Sequence, residues 1–276
     1  MSRKINREAL RESGRITAAA LTATAEAVGP GITTAELDAI AEQVIRQEGG
    51  TPAFMGYQGF PATLCTSVNH EVVHGIPGPY ALSDGDIVSL DAGVKVDGWY
   101  TDSAVTVPVG DIEAEIQQLL EITWKSLYVG IKQIKAGHTV GDYGHAVQEL
   151  AETNGLGVVR DCVGHGIGQK LHLDPSIPNF GSPHQGATFE AGMVVAVEPM
   201  LVTGNWEVQT AADHWTVVTR DHSVAAHYEE TVIVTERGIE RLTPLPDVLQ
   251  ARNPGARLGK VTPRGSARSF AEDTHG

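Results

Sequence analysis

The chain of 276 residues holds only two cysteines, Cys65 and Cys162. That is too few for the disulfide framework of a small secreted domain and fits a reducing compartment. It has no apolar run near the roughly 18 residues a membrane span needs, so no membrane partner is expected. The opening MSRKINREAL carries no apolar signal core, which makes the cytoplasm the expected location. Positive charge is scarce. Twenty Lys and Arg stand against 34 Asp and Glu, a net charge of -14, which argues against a nucleic-acid-binding surface. What is present is ordinary for a globular chain: 41% hydrophobic and 20% charged residues, with the length to bury a substantial core. A monomer is expected.

The pattern of punctuation predicts helices, strands, helices and strands again. A first helix spans 6–28 and stops at Val28-Gly29-Pro30. Thr33 or Thr34 caps a second, which runs to Glu48 before Gly49-Gly50. Strand-like segments fill 51–110, two further helices lie near 111–135 and 139–154, and strands return over about 157–243. The order repeats, and so does the sequence. Gly31-Ile32-Thr33 through Gly49 matches Gly137-His138-Thr139 through Gly155 at a constant offset of 106. Asp84 through Asp91 lies over Ala191 through Glu198, and Tyr100–Val105 lies over Tyr228–Val232 with Asp102 opposite Glu229. The expectation is one pseudo-symmetric α+β domain to about residue 250, with halves near 5–110 and 111–245. The tail, 251–276, carries five basic residues against two acidic ones and almost no apolar periodicity. Disorder is its expected state, and a ribosome or RNA contact is the alternative.

Both halves thus place two carboxylates at equivalent positions. In the first, a turn at Val96 and Asp97 would make Asp91 and Asp102 direct cross-strand neighbours, roughly 5 Å apart at Cβ. Like charges so placed are destabilising unless something positive lies between them. In the second, Glu198 follows the apolar run Met193–Val197 and Glu229 precedes another, Thr231–Val234. A lone glutamate buried there would be costly. His165 sits in a glycine-rich stretch, Val163 through Gly168, where backbone can approach a ligand closely. Four negative charges call for two divalent ions. An oxygen-rich set with one imidazole suits Mn(II), Fe(II) or Co(II) better than a structural zinc site, with zinc a further option. Two such ions about 3.5–4 Å apart can share a water and lower its pKa towards roughly 7, the apparatus of metal-assisted hydrolysis.

Longer strings now add a resemblance. Tyr57-Gln58-Gly59-Phe60-Pro61, Cys65-Thr66-Ser67-Val68-Asn69, His74-Gly75-Ile76-Pro77, Gly164-His165-Gly166-Ile167-Gly168, Val197-Glu198-Pro199-Met200 and His214-Trp215-Thr216-Val217 occur in order. Over about residues 5–245 the chain resembles the type I methionine aminopeptidases of the pita-bread fold. The short span of 32 residues between His165 and Glu198 leaves no room for the helical insertion of type II. The resemblance implies that Asp91, Asp102, His165, Glu198 and Glu229 ligate two metal ions, with Asp102 and Glu229 bridging them. It implies that Glu198 also moves the proton of the attacking water. It makes His74 and His172 the non-ligand histidines that hydrogen-bond the scissile amide and stabilise the tetrahedral intermediate. It places a methionine pocket at Tyr57, Phe60, Cys65 and Trp215, with Phe54 and Leu171 at its edge. Phe54 and Gln58 depart from the cysteine and histidine of bacterial members. The implied substrates are nascent polypeptide N-termini whose second residue is small.

Two rivals remain. Proline-specific peptidases use a nearly identical metal set but usually carry a large N-terminal domain and lack the pocket around Cys65 and Trp215. A catalytically dead pita-bread protein would bind peptides only, but such proteins lose ligands that this chain keeps.

Overall fold

The computed structural model describes residues 5–244; the tail assigned to 251–276 lies outside them. Helix α1, Arg7–Ala27, begins where the Asn6 side chain accepts the Ala9 N–H. That bond satisfies one of the donors every helix start leaves free. Helices α2, Thr34–Gln47, and α4, Val140–Thr153, both start with a capping box, Thr33 with Glu36 and Thr139 with Asp142. Their first residues differ by 106, the offset of the sequence repeat. Gly31 and Gly137 precede them with φ of 92° and 89°, left-handed backbone that favours glycine at both places. Helix α3, Ala114–Ile131, completes the set.

The helices pack on a nine-stranded, fully antiparallel sheet. Its central strands run in the spatial order Ile87–Val96, Trp99–Pro108, Glu229–Val234, Val194–Val197, Gly164–Gly166, Leu173–Ile177. The first two come from one half of the chain and the rest from the other. The halves meet where Glu229 pairs with Ala104. Between sheet and helices lies the largest apolar cluster, which includes Leu21, Leu37, Leu90, Val107, Leu127 and Val232.

The Ile87–Pro108 hairpin differs from the sequence expectation. Its turn residues are Asp97 and Gly98, not Val96 and Asp97, and Asp91 pairs with Ala104 while Asp102 pairs with Gly93. Both turn residues have positive φ, 49° and 80°. This two-residue loop matches the right-handed twist of its strands, and Asp-Gly is among its preferred sequences. The register therefore slips by two, an even number, so both aspartates keep the same face of the sheet. They are diagonal neighbours, not direct ones.

Alternation also separates two adjacent glutamates. Glu229 shares the face of Asp91 and Asp102, whereas Glu230 points to the helical side. There it is fully buried, bound by the Arg241 guanidinium and by the Tyr128 hydroxyl of α3. One glutamate of the pair fastens a helix to the sheet; the other is left for the open face.

Candidate metal centre and substrate cavity

Register alone aligns Asp91, Ala104 and Glu229 across three neighbouring strands, with Asp102 two residues from Ala104. Val197 pairs with Glu230, so Glu198, the next residue, comes beside Glu229. His165 pairs with Ala196 on the following strand, and its Nε2 lies 3.6 Å from Glu198 Oε1. The five residues thus converge on one face, four from strand positions and Glu198 from just past the end of the Val194–Val197 strand. The ligating atoms of Asp102, His165 and Glu229 all lie within 4.8 Å of one another.

The environment is hostile to bare anions. Asp91, Asp102 and Glu229 are at most 8% exposed. Burial, then mutual repulsion, pushes Asp91, Glu198 and Glu229 well above the usual carboxylate range, and burial pushes Asp102 up to about 7. Among the described residues no lysine or arginine forms an ion pair with them; their only charge-capable partners are His165 and His227. Asp91 Oδ1, Asp102 Oδ1 and Glu229 Oε1 are buried without a hydrogen-bond partner. A cluster of inward-facing, unpartnered carboxylate oxygens with one imidazole is a donor set for divalent cations. The residues fit divalent cations, with His165, held to about 4 by burial, neutral and able to ligate.

The same atoms form one end of a cavity of about 230 Å³. Every candidate site residue named from sequence lines it: Asp91, Asp102, His165, Glu198 and Glu229 at the polar end, His74 and His172 at the side, and Tyr57, Phe60, Cys65 and Trp215 at the apolar end. Phe54, Gln58 and Leu171 line it too. Phe60 and Trp215 meet edge to face at 5.1 Å between centroids. Cys65, buried and paired in register with Asp91, stays a thiol because burial and that carboxylate push its pKa far up.

His74 reaches the cavity from left-handed backbone, φ 61°. The following Gly75 presses so close to the Leu64–Val68 strand that a Cβ would sit 2.3 Å from Thr66 O. Burial lowers the pKa of His74 and of His172, so both rings are neutral at pH 7. His172 is further oriented by Tyr57, whose hydroxyl lies 2.8 Å from its Nδ1.

Sequence reasoning missed one site residue. His227, 1% exposed, points Nε2 at Glu198 Oε2, 3.7 Å away, and at Glu229 Oε2, 4.0 Å away. No local pattern marks it: it ends the strand Ala225–His227, which is separate from the Glu229–Val234 strand that carries the carboxylate.

The model of metallopeptidase family M24 matches residues 8–236. The chain is 49% identical over 234 residues to a methionine aminopeptidase of Clostridium perfringens, covering 85% of this chain and 94% of that one. It is 44% identical over 243 residues to methionine aminopeptidase 1 of Mycobacterium tuberculosis, covering 86% and 91%. The crystal structure of methionine aminopeptidase from Thermotoga maritima superposes with a TM-score of 0.86 at 41% identity, covering 88% of this chain and 99% of that one. Prolidase from Pyrococcus furiosus, at 22% identity and a TM-score of 0.69, shares the fold alone. With its family model spanning most of the described residues, the chain belongs to metallopeptidase family M24.

Proposed function

We propose that this protein removes the N-terminal methionine of newly made polypeptides, by metal-dependent hydrolysis, when the second residue is small. The observation that carries the reading is one cavity with two ends, a carboxylate cluster beside an apolar slot closed by Phe60 and Trp215. The slot offers aromatic faces and the Cys65 sulfur to a flexible thioether chain. A side chain held there leaves its own α-amine and amide at the carboxylate end, so only a terminal residue can be cut.

Asp91, Asp102, His165, Glu198 and Glu229 would hold two divalent ions, Fe(II), Mn(II) or Co(II) ahead of zinc. Bound there, the ions would polarise a water and the scissile carbonyl. Glu198 takes the proton of the attacking water as general base and returns it to the leaving amine. His74 and His172, both neutral, offer ring N–H donors to the carbonyl oxygen as it becomes anionic. Nascent chains emerge in the cytoplasm, which is where we place the reaction, with a monomeric enzyme and the ribosome as its neighbour. Among the described residues no helix is long and apolar enough to cross a membrane.

The test is a peptide panel after chelation and reconstitution with each ion: Met-Ala-Ser, Met-Leu-Ser, Leu-Ala-Ser, acetylated Met-Ala-Ser and Ala-Pro-Ser. Cleavage of the first, with the others slow or inert, is expected. Preferential cleavage of Ala-Pro-Ser would move the chain to the proline-specific branch, and inertness with every ion would leave a binding module.

A further inference from the structure

His227 is held from both sides of its backbone. Its N–H donates to Thr106 Oγ1 at 2.8 Å, and Thr106 Oγ1 donates back to its carbonyl at 2.8 Å. Its strand, Ala225–His227, pairs with Met200–Val202, with His227 opposite Met200. So fixed, the ring is buried with neither nitrogen hydrogen-bonded. A buried polar group without a partner is a standing cost that structures rarely keep without use. Its Nε2 faces two carboxylate oxygens, Glu198 Oε2 and Glu229 Oε2. Once Glu198 and Glu229 are ionised as ligands, a lone pair turned towards them would be repelled, so the proton belongs on Nε2.

We propose that His227 is a positioning residue whose Nε2–H supports the carboxylates of Glu198 and Glu229 from behind and fixes how they face the centre. Distances of 3.7 and 4.0 Å are too long for formed hydrogen bonds. Bonds of this kind are commonly long in an unliganded site and tighten when it is loaded. Partners of this type behind ligating groups are worth about 10–100-fold in metal affinity or activity. The inference rests on the proposed dinuclear centre, but its readout does not depend on the peptide that is cut.

The experiment compares the full chain with His227→Leu and His227→Gln. The first keeps bulk without a donor; the second keeps an N–H donor. Calorimetric titration of the metal-free proteins with Co(II) gives affinity, and the Co(II) visible spectrum reports coordination. Melting temperatures of the metal-free proteins report folding. The expected result is Co(II) affinity about 10–100-fold weaker in His227→Leu with an altered spectrum, and recovery to within about threefold in His227→Gln. At saturating metal, kcat on Met-Ala-Ser should fall in His227→Leu with KM little changed. Wild-type affinity and spectrum in His227→Leu would overturn the proposal, as would equal losses in both variants with unchanged melting. Should the wild type bind Co(II) but leave Met-Ala-Ser uncut, the methionine reading fails while the affinity difference still judges His227.

Discussion

The hydroxyl of Tyr57 and Nδ1 of His172 lie 2.8 Å apart, joining the short 3-10 helix Tyr57–Gly59 to the loop that follows the Gly164–Gly166 strand. The bond spends one nitrogen of His172 and leaves Nε2 as the only one free for substrate. It also ties the apolar slot, which Tyr57 lines, to the polar end of the cavity.

Removing that tie should therefore affect chemistry more than folding. Tyr57→Phe keeps the ring and loses the hydrogen bond, a change of about 1 kcal/mol, or roughly fivefold. We expect kcat/KM on Met-Ala-Ser to fall about five- to tenfold with the melting temperature within about 2 °C of wild type. Unchanged kinetics would mean that His172 is held by packing alone.

Glu198→Gln tests the proton carrier. The amide keeps the size and one oxygen but can neither accept the water's proton nor balance cation charge. At saturating metal, turnover should drop by about a thousandfold. Near-normal turnover in a protein shown by elemental analysis to hold its metal would refute the role of Glu198 as base.

The buried carboxylates and histidines have opposite linkage signs. The carboxylates have folded pKa values raised above the unfolded ones, Asp102 to about 7. Their contribution to stability is present at low pH and lost as pH rises through the folded values. His165 and His227 have folded values lowered to about 4 and about 3. Their contribution is present above about 6.5 and lost as pH falls through the folded values. The two contributions oppose one another between about pH 4 and 6.5; above that the histidine contribution is complete, so metal-free protein should weaken from about pH 6.5 towards pH 8 as the carboxylates ionise against one another. A divalent ion should raise the melting temperature more at pH 8 than at pH 6, because binding displaces protons. A larger gain at pH 6, measured by scanning calorimetry, would contradict the assignment of these carboxylates as the binding groups.

What was legible in the sequence, and what was not, follows from the range of the signals. Cap signals are local: Thr33 or Thr34 reads as the cap of α2 and a helix reads near 139–154, and the structure sets the caps at Thr33 and Thr139, each with a capping box. The repeat placed Asp91 against Glu198 and Asp102 against Glu229, since a duplicated pattern carries long-range information in local strings. The hairpin register was missed because Asp-Gly at 97–98 competed with Val96 for the turn, and only the φ preference of the two-residue loop decides between them. His227 was missed because nothing local announces it. Its chemistry comes from two carboxylates brought in by other strands, and a lone histidine beside Tyr228 reads as core.

Gly93 offers a last prediction, about the shape of the slot. It faces the side of the sheet that carries Asp91, and its backbone is not left-handed, so alanine brings no conformational strain. The obstacle is space. A Cβ there would lie 2.6 Å from Phe54 Cε1 and 3.0 Å from Ala53 Cβ. Ala53 cannot retreat freely, because its N–H donates to Gly93 O at 2.9 Å. Phe54 lines the cavity and packs edge to face on Phe60, so its displaced ring must narrow the slot or push Phe60 and Trp215. Overpacking of this size costs about 1–3 kcal/mol, or a fall of roughly 2–12 °C in melting temperature for a domain this large. For Gly93→Ala we expect KM on Met-Ala-Ser to rise about tenfold or more, with kcat changed less because the carboxylates stay in place. Adding Phe54→Leu to Gly93→Ala should recover most of the affinity by vacating the contested volume. If the single variant binds substrate normally, or the second substitution fails to rescue it, Phe54 does not shape the methionine slot.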